Sequence, residues 1–160
     1  MCLQIALRTS ESLATTSHFY VTLFSNAARD IYEQNTHADF TVKLAQPVDL
    51  GSNSNWVVGL CEISYSSPPM GEEETTALMY CNLISLQFVG DSTVRCTRTF
   101  VFQSLTCQRE FQNVYYVLVE KRIFQDIRID LLTTEGLHAP FEDSTTPTKV
   151  VIHFRKNDKW

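Results

Sequence analysis

Two of three strand-like runs near the C-terminus alternate apolar and polar residues with a period of two, and this rhythm limits the possible folds more than any other feature. Residues 115–119, 124–132 and 149–155 read as consecutive strands. The last two are separated by a turn at 133–141 that carries Gly136 and Pro140. In 124–132, Ile127, Ile129 and Leu131 face one way and Arg128 and Asp130 the other. In 149–155, Val150, Ile152 and Phe154 oppose Val151, His153 and Arg155. Successive side chains of a strand point to opposite faces, so this pattern describes half-buried antiparallel strands packed on a second sheet.

The rest of the chain repeats the theme. Residues 18–24 put Phe19, Val21 and Leu23 on one face, and residues 39–44 put Phe40, Val42 and Leu44 inward. Residues 46–51 close that strand, and 52–55 form a turn. Between the first two strands, 25–35 reads as a loop with one helical turn at 27–30. Residues 56–65 are almost continuously apolar apart from Glu62, as expected mid-sheet. An exposed loop at 66–76 leads to strands 78–89 and 93–102, a hairpin around Gly90-Asp91, and 103–112 connects them to the C-terminal trio. The expected class is all-β: an eight-stranded antiparallel β-sandwich with no amphipathic helix. Strand count alone does not separate a jelly roll from an immunoglobulin-like or up-and-down sandwich. The expected organisation is a flexible N-terminal arm at 1–16 that orders against a partner, one domain at 17–156, and a tail at 157–160.

Composition agrees with a single folded domain. The 160 residues are 44% hydrophobic and 19% charged, enough to bury a core without disulfides or metal. Ten Phe and six Tyr favour strands. A net charge of −5 argues against direct nucleic-acid readout, which needs a basic stripe; Arg155, Lys156 and Lys159 make only a small terminal cluster. The cysteines (Cys2, Cys61, Cys81, Cys96, Cys107) are odd in number and contain no C-x-x-C, which fits free thiols in a reducing compartment. Their spacing leaves a Cys96–Cys107 staple across a hairpin open. The N-terminus lacks a basic segment followed by a long apolar run, and no stretch reaches the roughly 18 apolar residues that span a bilayer. With no N-x-[ST] sequon either, the chain reads as neither secreted nor membrane-inserted.

Motifs for chemistry are missing. His18, His37, His138 and His153 are scattered, and each stands alone, without the H-x-H or H-E-x-x-H spacing of a metal-dependent cupin. His153 reads as a surface or edge histidine. G-x-S-x-G, P-loop and G-x-G-x-x-G patterns do not occur. Cys61 lies in the most apolar strand, where burial raises a thiol's pKa and makes it inert. Glu72, Glu73 and Glu74 read as a solvated loop. Their sharper alternatives are a weak Ca²⁺ site or a contact with a basic partner, though three consecutive carboxylates do not by themselves supply Ca²⁺ geometry. Tyr20, Tyr32, Tyr65, Tyr80, Tyr115 and Tyr116 supply either a sugar-binding platform or core and interface packing. No catalytic residue, cofactor site or metal centre is expected, and nothing spells an enzyme.

Three blocks carry a resemblance. The first is His18-Phe-Tyr-Val-Thr-Leu-Phe-Ser-Asn26, with Asp30-Ile-Tyr32 and Asn35-Thr-His-Ala-Asp-Phe-Thr-Val-Lys-Leu44 after it. The second is Pro47-Val-Asp-Leu50 with Trp56-Val-Val-Gly-Leu-Cys-Glu-Ile63. The third joins Phe124-Gln-Asp-Ile-Arg-Ile129, Gly136-Leu-His-Ala-Pro-Phe141 and Val151-Ile-His-Phe-Arg155. In order and spacing, over residues 18–156, they resemble the penton (minor capsid) proteins of Polinton/Maverick elements, adintoviruses and related small DNA viruses. The resemblance implies a single jelly roll that assembles as homopentamers at the five-fold vertices of an icosahedral shell. It implies a double-jelly-roll major capsid protein as partner, the virion as location, assembly inside the host cell, and no catalysis. On this reading the arm at 1–16 tethers the ring to adjacent major capsid trimers. The alternative is a non-viral jelly-roll binding module, carbohydrate-binding or TNF-like.

Overall fold

The longer runs become strands because each has an apolar row to bury, and four three-residue strands join them. In chain order they are β1 (His18–Phe24), β2 (Asp39–Asp49), β3 (Trp56–Ser64), β4 (Thr75–Cys81), β5 (Gln87–Val89), β6 (Ser92–Val94), β7 (Cys96–Phe102), β8 (Gln108–Glu110), β9 (Tyr116–Leu118), β10 (Ile123–Thr133) and β11 (Lys149–Lys156). The computed structural model describes residues 16–66, 75–102, 108–141 and 146–157. One sheet runs β1-β11-β3, with β8 and β9 side by side against β3. The other runs β2-β10-β4-β7, and β5–β6 is a separate hairpin.

Pairing is antiparallel throughout and nested. β1 pairs with β11, β2 with β10, β3 with β8 and β9, and β4 with β7. A long hairpin is in effect rolled up, and β11–β3 and β10–β4 contacts close it into two facing sheets. This is a single jelly roll, as expected. Between the sheets, Ile127, Ile129 and Leu131 of β10 and Val150, Ile152 and Phe154 of β11 are fully or almost fully buried. Phe154 stacks on Phe19 at 4.8 Å and reaches Phe124 of the opposite sheet at 5.7 Å. Trp56 closes one end, its indole N–H donating to the Leu50 carbonyl at 2.9 Å. Burying each such side chain is worth about 1.5–3 kcal/mol.

Several elements differ from expectation. The run 78–89 is two strands, because Leu83 and Ile84 leave the sheet to be wholly buried at its end. There the Leu83 carbonyl accepts the Glu120 and Lys121 N–H groups, and Ile84 bridges Val119. The partner run 93–102 divides correspondingly into β6 and β7, although Gly90-Asp91 forms the expected two-residue turn, with Gly90 at φ +61°. The segment 103–112 contains β8, so the position beside β3 is shared by two three-residue strands rather than one. β2 continues through Pro47, which is tolerated because β2 is an edge strand; residues 44–47 bulge opposite Gln125. The helical turn expected at 27–30 is replaced by non-helical turns with Ala28 at φ +58°.

Cys81 and Cys96 are buried free thiols and Cys61 a half-buried one. Burial pushes the Cys81 thiol up to about 11 and raises those of Cys61 and Cys96. Cys107 lies outside the described residues. So do the expected arm and tail, apart from Thr16 and Asn157.

Candidate functional site

The outer face of the β1-β11-β3 sheet carries the densest group of polar aromatic side chains. Register places Tyr20 opposite His153, His153 opposite Gly59, and Gly59 opposite Tyr116, forming one row across four strands. Gly59 leaves a gap in this row, and the Tyr116 ring crosses it. The Tyr116 hydroxyl meets His153 Nδ1 at 2.7 Å. Tyr20 stacks on the imidazole from the other side at 4.2 Å, and His18 meets it edge-on with Nδ1 3.2 Å from His153 Nε2. Arg155 lies 3.9 Å over the Tyr116 ring. A neutral His153 satisfies this chain of contacts, accepting the Tyr116 proton at Nδ1 and donating from Nε2 to His18.

Burial lowers the His153 pKa below the usual histidine range, and His18 and Arg155 lower it further. The unfolded chain therefore takes up a proton near pH 6.5, where folded His153 does not. Stability is expected to fall as pH drops through that value, with the loss complete below the folded pKa. His153→Gln should flatten the trend: its melting temperature should change less than the parent's between about pH 7.5 and about pH 5.5. An equal fall in both proteins would assign the acid sensitivity elsewhere.

The outer face of the second sheet carries charge. Asp39 and Asp130 sit opposite each other on β2 and β10, and His138 Nδ1 lies 3.3 Å from Asp130. Potential ligand atoms of the three residues lie within 4.8 Å of one another. However, Arg128 donates to both Asp39 oxygens, at 2.9 and 2.8 Å, which makes the group an ion-pair network. Burial, then Asp39, raises the Asp130 pKa. Ser25 and His37 form a second side-chain pair, Oγ to Nδ1 at 3.0 Å. Both are buried, and Ser25 Oγ also accepts the Thr148 N–H, so the pair ties two loops together rather than opening to a substrate.

The histidines thus do not stand alone: His18 and His153 share one cluster, His138 joins an acidic pair, and His37 holds Ser25. His153 is on the outer face as expected, but on an interior strand. Periodicity could place each residue on a face; the registers that unite them span most of the chain. The Ca²⁺ candidates Glu72, Glu73 and Glu74 lie outside the described residues. Of the tyrosines, Tyr65 is buried against Phe102, Tyr32 bonds Asp126, and Tyr80 is half-buried; Tyr20 and Tyr115 are exposed. Exposed apolar side chains stand at both ends of the sandwich. Ile31 and Leu137 are at the β1–β2 and β10–β11 end, while Leu86 and Phe88 are at the opposite end, on and before the β5–β6 hairpin.

No protein-family model and no curated protein matches the sequence. Among solved structures, the chain is similar to the crystal structure of the mavirus penton protein, with a TM-score of 0.58 and 6% sequence identity. The match covers 88% of this chain and 100% of that one. At such identity the likeness is one of fold, and the fold is a penton-like single jelly roll.

Proposed function

We propose that the protein is a structural capsid protein of penton type, five copies of which close a ring at the five-fold vertex of an icosahedral double-stranded DNA virus shell. The observation that carries this reading is the match of nearly the whole chain to the complete mavirus penton protein. The organisation of the molecule supports it: a rigid sandwich with exposed strand edges and apolar loop tips at both ends, the Ser25–His37 pair, the nearest approach to a nucleophile and base among the described residues, being sealed inside. A closed ring needs only one flank of each subunit to fit the opposite flank of the next. The protein works without catalysis, is assembled inside the host cell into the virion, and takes a double-jelly-roll major capsid protein as its shell partner. Residues 17–156 form the capsomer domain.

Light scattering on the purified protein, with negative-stain images of the same peak, tests the reading. Five-fold rings are expected. A trimer would favour a TNF-like binding module, and a monomer at every concentration would count against an autonomous capsomer. The exposed Tyr20 and Tyr115 give some support to a carbohydrate-binding module, which glycan binding lost on Tyr20→Ala would reveal.

A further inference from the structure

We infer that in the assembled ring the open edge of β1 is filled by a strand made from residues 3–8 of a neighbouring copy. This rests on the pentameric reading above and names one of its contacts. Among the described residues, β1 is paired on one side only, with β11. The Ser17 carbonyl accepts the Lys156 N–H and the Ser25 N–H donates to the Thr148 carbonyl, with the register unbroken between them. In an antiparallel ladder this alternation turns the backbone groups of Phe19, Val21 and Leu23 towards β11. Those of His18, Tyr20, Thr22 and Phe24 turn away from it.

Proteins guard such edges with charge, proline, bulges or brevity. The other edges follow the rule: β2 has Asp39, Lys43, Pro47 and a bulge, β7 has Arg98 and a register shift, and β8 and β9 have three residues each. β1, His-Phe-Tyr-Val-Thr-Leu-Phe, has seven residues with no Lys, Arg, Asp, Glu or Pro and no bulge. Its inward Phe19 and Val21 remain half-buried, whereas Leu23 is completely buried. One more strand on the outside would finish covering them.

The chain before β1 has the right chemistry. Leu3, Ile5 and Leu7 alternate with Gln4, Ala6 and Arg8, giving a short strand pattern with one apolar face to lay beside Phe19 and Val21. Residues 9–16 then form a polar linker that can span up to about 27 Å. That exceeds the roughly 2–5 residues of a hairpin loop back to the same edge. Arm-to-edge pairing is also heterologous, so it propagates around a ring. Pairing of β1 with a second β1 would be self-complementary and stop at a dimer. The arm, expected above to reach the major capsid protein, thereby has a nearer partner.

Hydrogen exchange on the full chain tests this against a Leu3→Lys/Ile5→Lys/Leu7→Lys variant. The Tyr20, Thr22 and Phe24 amides should exchange at least about 100-fold faster in the variant, with Phe19, Val21 and Leu23 unchanged as the internal control for folding. An Ile5→Cys/Val21→Cys protein, with both thiols on the inner face, should on oxidation give covalent oligomers up to the pentamer. A ring whose Tyr20, Thr22 and Phe24 amides exchange freely overturns the inference but leaves the penton reading intact. A bridge closing within single chains also overturns it. Absence of any ring counts against the autonomous capsomer on which this contact rests, and overturns the contact with it.

Discussion

Phe154→Ala is expected to lower the stability of the fold by about 3–5 kcal/mol. Phe154 is wholly buried on the inner face of β11 and stacks on Phe19 of its own sheet and Phe124 of the facing one. Truncation would remove a large apolar side chain and leave a void walled in part by aromatic rings on β1 and β10. Those strands belong to two hydrogen-bonded sheets and have little freedom to collapse into the space. Urea unfolding should show a lower midpoint with an unchanged slope. Phe154→Leu, which keeps most of the volume, should recover more than half of the loss. A loss below about 1.5 kcal/mol for the alanine variant would mean that the sheets do not pack through Phe154.

The inner faces were legible in the sequence because a sandwich imposes a period of two wherever one face is buried and the other wet. Ile127, Ile129 and Leu131, and Val150, Ile152 and Phe154, all point where alternation places them. The pairing was not legible. That the first strand joins the last, and β2 joins β10, depends on closure of the whole roll, and local pattern carries no information about it. The jelly roll is therefore implied by the resemblance and not by the number of strands. Leu83 and Ile84 show the complementary failure. They are as apolar as their neighbours, so they read as strand, yet they are buried at the end of the sandwich by a loop and not by a sheet partner.

The outer-face cluster was hidden for the same reason. His18 and Tyr20 fall on one face of β1, as do His153 and Arg155 on β11, and those placements follow from alternation. Their meeting requires the β1–β11 register, and Tyr116 requires in addition that β3 offer no side chain between it and His153. Asp39 and Asp130, far apart in sequence, likewise become neighbours only through the β2–β10 register.

Gly59→Ala tests that gap, with an expected cost of about 2–3 kcal/mol. Replacing glycine by alanine in extended backbone ordinarily stabilises by about 0.4–1 kcal/mol through the unfolded chain. Here an added Cβ would lie 2.6 Å from the Tyr115 carbonyl oxygen and closer still to Val114 Cγ1, with the Tyr116 ring at 3.2 Å. A methyl group cannot fit unless the segment 114–116 lifts from β3. Lifting it would carry Tyr116 off His153, so the variant has a second signature. With burial relieved, the His153 pKa should rise towards its ordinary value, a change visible by NMR titration. Combining Gly59→Ala with Val114→Ala separates the two clashes. The double variant should regain only part of the stability, because the Tyr115 carbonyl is backbone and cannot be trimmed. Complete rescue would show instead that Val114 alone enforces the glycine. No loss in the single variant would show that the cover over Gly59 yields freely, and that the Tyr20–His153–Tyr116 row is not held by the close approach of β9 to β3.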